Sequence, residues 1–450
     1  MPQRLRLKTL LLTLLATALA VSCIQQRVPD PPTAAVQPKT NSLHGISWTD
    51  DYYWLRERED PEVIRYLGAE NEYTEAVMKH TRRLQEKLYN EYVSRIKQTD
   101  RSVPEKKGNY YYYERFEEGK QYSIKCRKKG SLDSPEEIML DENLLAEGHG
   151  YFYVARWDVS TDENLLAYSV DTSGSELYTI YVKDLTTGEL LPDRIADVYA
   201  SFAWANDSRT LMYIAQDDAR RPYKLFRHRL GSEASDDKLL YHEKDEAFEL
   251  YLSKSKSKKY IFMRLESATT SEIHFLDADQ PDGTFRVIEP RRHMMEYSVY
   301  HQGDNFYIRT NDNALNFKLM VAPVARPGRQ NWKEYIAHSD SVKIDGVDAF
   351  KDYLVVYERR GGLKRIKVID VHSQEAHYIE FPETVWTYWP WGNPEFDSGL
   401  LRFMYTSLIT PRTIYDYDMS ARTSEVKKEQ EIPCGYDKQQ FVTERIFATA

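Results

Sequence analysis

The chain has 450 residues, 41% hydrophobic and 29% charged, which is enough apolar material for two or three domains or one large repeat domain. Its formal net charge of -9 supplies no cationic face and argues against nucleic acid as a partner. Thirty-four Tyr, within 13% aromatic residues overall, favour strands over helices.

In chain order, the first predicted element is an export signal. Arg4, Arg6 and Lys8 precede the apolar run Leu10–Val21, which is too short to span a bilayer. Residues 1–22 therefore read as a signal peptide. Leu19-Ala20-Val21-Ser22-Cys23 resembles a bacterial lipobox, which makes Cys23 the expected lipidation site. Ala20 stands where Leu is commonest, and cleavage near Ser22 without lipid is the alternative. This predicts an exported protein of the cell envelope or periplasm, lipid-anchored to a bacterial membrane. Residues 23–43, rich in Gln, Pro and Thr, read as a flexible tether. Export permits a disulfide between the remaining Cys126 and Cys434, but two unpaired, buried thiols are the favoured reading.

Residues 44–104 carry the helical patterns. Asp60 before Pro61 is a candidate N-cap, followed by Val63, Ile64 and Leu67 on one face. Leu84, Leu88, Tyr92 and Ile96 recur at spacing four and predict a second amphipathic helix. Both stripes call for a partner surface.

From Gly108 the pattern changes to short strands separated by turns. Asp162, Leu166, Tyr168 and Tyr178 realign with Asp207, Leu211, Tyr213 and Tyr223, all at an offset of 45 residues. Similar strand pairs begin near Tyr110, Tyr260, Asn305, Tyr353 and Leu401. A period of this length with several strands per unit predicts an all-β, seven-bladed β-propeller over residues 105–435, because a lone four-stranded blade cannot bury both its faces.

The segments Asp51–Arg58, Pro61–Tyr73, Gly119–Gly130, Glu147–Tyr153, Leu165–Gly174, Val182–Glu189 and Tyr405–Tyr417 resemble oligopeptidase B, the basic-specific branch of the prolyl oligopeptidase family of serine peptidases. The resemblance implies a helical segment and a propeller that limits substrates to short peptides. It also implies an α/β-hydrolase domain that holds the nucleophile, its acid and its His. No Gly-x-Ser-x-Gly elbow occurs in these 450 residues. The triad is therefore expected beyond residue 450, with 436–450 opening the linker to it, and the chain alone is expected to be inactive. Its expected partners are that catalytic domain, in cis or in trans, short basic peptides, and a membrane through the lipid anchor. The alternative is a stand-alone exported propeller that binds peptides or proteins without catalysis. A free Cys126 also accords with the resemblance.

No catalytic, cofactor or metal constellation is expected among the remaining candidates. Ser173-Gly174-Ser175-Glu176 lacks the second Gly of an elbow and reads as a turn. His242-Glu243 continues as Lys-Asp-Glu, so no metal-binding helix follows. His149 reads as a turn residue, and Asp50-Asp51 and Asp217-Asp218 as solvated turns or caps. Ser253–Lys259 is expected to be a solvated hairpin turn, as are the pairs Arg220-Arg221 and Arg359-Arg360. The aromatic cluster Trp386, Tyr388, Trp389 and Trp391 reads as inter-blade core.

Overall fold

The computed structural model describes residues 29–449, so the signal segment and Cys23 lie outside the described residues. The chain divides between Ile96 and Lys97 into two compact units.

In the first unit, Lys39–Leu43 pairs antiparallel with Ile46–Asp50, where a tether was expected as far as residue 43. The turn explains the difference. His44 and Gly45 both take positive φ, 51° and 78°, the geometry of a tight two-residue hairpin. Helix α1 spans Pro61–Met78. Asp60 caps it by accepting from Glu62 N at 2.8 Å, and Pro61 occupies the first turn, where no amide is needed. Helix α2 spans Arg82–Ser94. Val63 is buried, whereas Ile64, Leu67, Leu84, Leu88, Tyr92 and Ile96 are exposed. Among the described residues, no helix is long and apolar enough to cross a membrane.

The second unit is a propeller of antiparallel sheets. Residues 100–141 form a five-stranded sheet, residues 153–242 a seven-stranded sheet, and residues 249–289, 297–336, 342–378 and 387–429 four-stranded sheets. The strand starts read from the repeat fall on Tyr110, Tyr260, Asn305 and Tyr353, with the last at Leu400. The expected count of seven blades is not what forms. Five blades stand as separate sheets, and residues 153–242 run as one continuous sheet. The cause is the 15-residue strand Leu190–Trp204, which pairs with Tyr178–Asp184 on one side and Thr210–Gln216 on the other. Val198 is the crossover point, opposite both Tyr178 and Ala215.

The repeat has a local cause. The turns at Ser160–Leu165, Ala205–Thr210 and Ser255–Tyr260 each close with a backbone bond from the first residue to the last, at 2.9, 3.0 and 2.8 Å. Glu163, Ser208 and Lys258 take the same left-handed conformation within them. Asp162 and Asp207, the aligned acids, accept from backbone amides of these turns and so fix the hairpins.

The core lies between sheets. Phe275 of one sheet meets Phe306 of the next edge-on, with ring centroids 5.0 Å apart. Trp204 and Phe202 fill the equivalent layer inside the seven-stranded sheet. Burying each such side chain stabilises by roughly 1.5–3 kcal/mol. Between the last and first sheets, closure is made by side chains, because no strand pairs across that seam among the described residues. Arg402 donates to Pro104 O at 2.8 Å while its other nitrogens hold Asp416 at 2.6 and 2.8 Å. Gly108 N donates to Glu395 at 2.6 Å, and Lys97 meets Glu431 at 2.6 Å.

Candidate functional site

The first strands of successive blades lie at the inner edge, where Glu249–Lys254, Tyr297–Gln302 and Val342–Ala349 border a cavity of about 240 Å³. Its wall combines Lys254, Lys256 and Asp348 with Phe262, Ile273 and Val299. Polar contacts gather at the C-terminal ends of these strands. Lys256 Nζ pairs with Asp348 at 2.6 Å and sits 3.7 Å above the Phe350 ring. Lys254 Nζ donates to Thr161 Oγ1 at 3.3 Å, Lys107 pairs with Asp158, and Gln302 donates to Lys351 O at 2.8 Å. Lys256–Asp348 passes over the sheet of residues 297–336 that lies between its partners, whereas Lys107–Asp158 and Gln302–Lys351 join neighbouring sheets.

Burial sets the electrostatics. It pushes the Lys254 ammonium down to about 8. It lowers Lys256 and raises Asp348, each opposed by the partner's charge. Burial also pushes His301 down to about 4, so its imidazole is neutral at pH 7. His301 Nδ1 lies 2.7 Å from Ser257 Oγ, a contact that sequence spacing did not reveal. No carboxylate hydrogen-bonds His301 among the described residues, so the pair lacks the acid that orients a catalytic imidazole. No group of His, Cys, Asp and Glu could hold a metal ion among the described residues.

Ser253–Lys259 is therefore only in part a solvated turn: Ser255–Tyr260 closes a turn with Lys259 exposed. Ser253 and Lys254 end an inner strand, and Lys254 and Lys256 reach away from water across the inner edge. The alternating Ser and Lys hid this, because a charge run ordinarily marks a solvated face. Arg221 is also withdrawn from solvent: it pairs with Asp217 at 3.1 Å and donates to Phe248 O at 3.0 Å, so it links two sheets. Asp217 itself accepts from Ala219 N and Arg221 N and holds the turn. Ser173–Glu176 is a turn gathered around Asp171, which accepts from the amides of Ser173, Gly174 and Glu176. His149 is exposed.

The aromatic cluster splits. Tyr388 is buried and donates to Arg365 O at 2.8 Å, and Trp386 packs against the same core, but Trp389 and Trp391 are exposed. Both remaining cysteines are free. Cys126 is buried as expected, whereas Cys434 is exposed, because it follows the last strand of the final sheet.

Comparison with known proteins places this geometry. Residues 31–430 match the family model described as prolyl oligopeptidase, N-terminal beta-propeller domain. The chain is 38% identical to dipeptidyl aminopeptidase BI of Pseudoxanthomonas mexicana, covering 98% of this chain and 62% of that protein. It is 36% identical to protease 2 of Moraxella lacunata, covering 93% and 61%. It superimposes on the structure of oligopeptidase B from Leishmania major with a TM-score of 0.88 at 29% identity, covering 94% of this chain and 63% of that one. The chain thus spans less than two thirds of the length of these relatives.

Proposed function

This chain belongs to the prolyl oligopeptidase family, matching its N-terminal propeller, and from that premise we infer that it is the substrate-gating part of an oligopeptidase B-like serine endopeptidase. In this reading, the complete protein cleaves short peptides after Lys or Arg, with nucleophile, acid and His supplied by an α/β-hydrolase domain. The observation that carries the reading is the match over residues 31–430, together with relatives called peptidases that are longer than this chain. The oligopeptidase B branch is supported by the TM-score of 0.88 to the Leishmania major enzyme, against 0.78 at 22% identity for a prolyl endopeptidase.

Gating is read from the propeller's own bonds. Side-chain contacts span its inner edge, and its seam is closed by ion pairs and single hydrogen bonds. A folded protein cannot pass such an edge, whereas a short peptide needs few of these bonds to break. Export and a lipid anchor at Cys23 complete the proposal and place the enzyme at the cell envelope. The stand-alone binding module is not favoured, since the relatives carry the propeller within longer chains.

The test is hydrolysis of an Arg-ended fluorogenic peptide. The protein joined to its hydrolase domain is expected to cleave it and to be stopped by a serine-directed inhibitor, while the 450-residue chain gives no turnover above buffer. Turnover by the 450-residue chain, or none by the joined protein, overturns the reading.

A further inference from the structure

We propose that the inner-edge cavity at Lys254 and Lys256 binds the free C-terminal carboxylate of a short peptide. The proposal rests on the peptide-handling reading above and names a site within it.

The charges bordering the cavity do not cancel. Lys256 is matched by Asp348 at 2.6 Å, and Arg264 lies 3.6 Å from Glu266. Lys254 has no carboxylate within 4 Å among the described residues and hydrogen-bonds the neutral hydroxyl of Thr161, at 3.3 Å; Asp158 and Asp279 attract its ammonium from farther off, opposed by the charges of Lys107 and Lys258, so these more distant charges cancel. A partly buried cation without a counter-ion in contact is costly, and an anionic oxygen pair in the cavity would reduce that cost. His301 adds no charge, because burial keeps it neutral. One cation is thus left over, beside a resident carboxylate. That balance suits a monoanion and disfavours a dianion such as phosphate, which Asp348 would repel.

The rest of the wall identifies what carries the anion. Phe262, Ile273 and Val299 line the same cavity, so the group attached to the carboxylate meets an apolar surface. Ser298, whose hydroxyl lies 3.3 Å from that of Tyr300, adds a polar group to the same wall. A monoanion attached to an apolar group is what the C-terminal residue of a peptide presents. Held there by its C-terminus, a peptide would extend from the propeller's inner edge.

The experiment is calorimetric titration of the full chain with N-acetyl-trialanine as the free acid and as the C-terminal amide. The acid is expected to bind, and the amide to bind at least tenfold more weakly. Lys254→Gln should weaken the acid about tenfold and leave the amide unchanged, while Lys254→Arg retains most of the preference for the acid. The Arg variant also controls for folding, with unfolding midpoints compared across all three proteins. Equal binding of acid and amide, no binding of the acid, or an acid affinity untouched by Lys254→Gln overturns the site. None of these outcomes touches the hydrolysis assay on the joined protein, so failure of the site and failure of the peptidase reading are separable.

Discussion

Nδ1 of His228 lies 2.8 Å from Oδ1 of Asp237, in a pocket that excludes water from both side chains. On the far side of the ring, Nε2 lies 3.0 Å from Asp193. Only the imidazolium donates from both nitrogens at once. Burial opposes that charge, but the two carboxylates outweigh it and hold the His228 pKa above its ordinary value. A raised native pKa gives stability that is fully present below the unfolded value of about 6.5 and is lost as pH rises through the native value. We therefore expect urea stability to decline from pH 6 to pH 9. His228→Gln should flatten that decline and cost about 3–5 kcal/mol at pH 6, since it leaves two buried carboxylates without their cation. A variant with the parent's pH profile would show that His228 is not the group responsible.

The seam between the last and first sheets gives a second expectation. Arg402 and Asp416 are both largely buried, and Arg402 alone also reaches Pro104 across the seam. Arg402→Ala should cost about 3 kcal/mol, above the range of an exposed pair, because Asp416 is left buried and unpaired. Hydrogen exchange should quicken first in Glu105–Lys107, next to the lost Pro104 contact, while Asp100–Arg101 is still held to the last sheet by Lys428. A loss below about 0.5 kcal/mol, with exchange unchanged, would mean that the seam does not depend on this residue.

The thiols should separate cleanly by reactivity. Burial pushes the Cys126 thiol up to about 11, reinforced by the Glu136 carboxylate, while Cys434 is exposed. With iodoacetamide at pH 8, Cys434 is expected to be alkylated in the native protein and Cys126 only after unfolding in urea. Peptide mass spectrometry reads both. Protection of both residues until reduction would instead indicate a disulfide between them.

What the sequence made legible was set by locality. The offset of 45 residues works because Asp162 and Asp207 each fix a turn within a few residues of themselves, and Asp60 caps α1 by the same short-range logic. The fused sheet was not legible. Leu190–Trp204 contains Pro192 and Asp193, residues that ordinarily interrupt strands, and a register shift lets the strand pass from one partner to the next. The site was hidden for a related reason. Lys254 and Lys256 are recognisable as buried only once Thr161 and Asp348, 93 and 92 residues away, are brought beside them. The hairpin before α1 was missed because His44-Gly45 adopts a turn more commonly written Asn-Gly.

The stripe on α2 yields the last expectation. Leu84, Leu88 and Tyr92 follow one another at spacing four, and all three are exposed, at 56%, 39% and 63%. Apolar surface left in water at a regular helical spacing is a binding surface for any apolar partner. A hydrophobic dye such as ANS should therefore bind the chain, or the chain should self-associate at micromolar concentration. Changing the three residues together to Gln keeps good helix formers at those positions, so the unfolding free energy should move by no more than about 0.5 kcal/mol. Dye fluorescence should fall severalfold. A parent chain that binds no dye and stays monomeric would contradict this, because the stripe would then have no accessible apolar face. A loss of more than about 2 kcal/mol in the triple variant would contradict it differently, by indicating that these side chains are already packed within the fold.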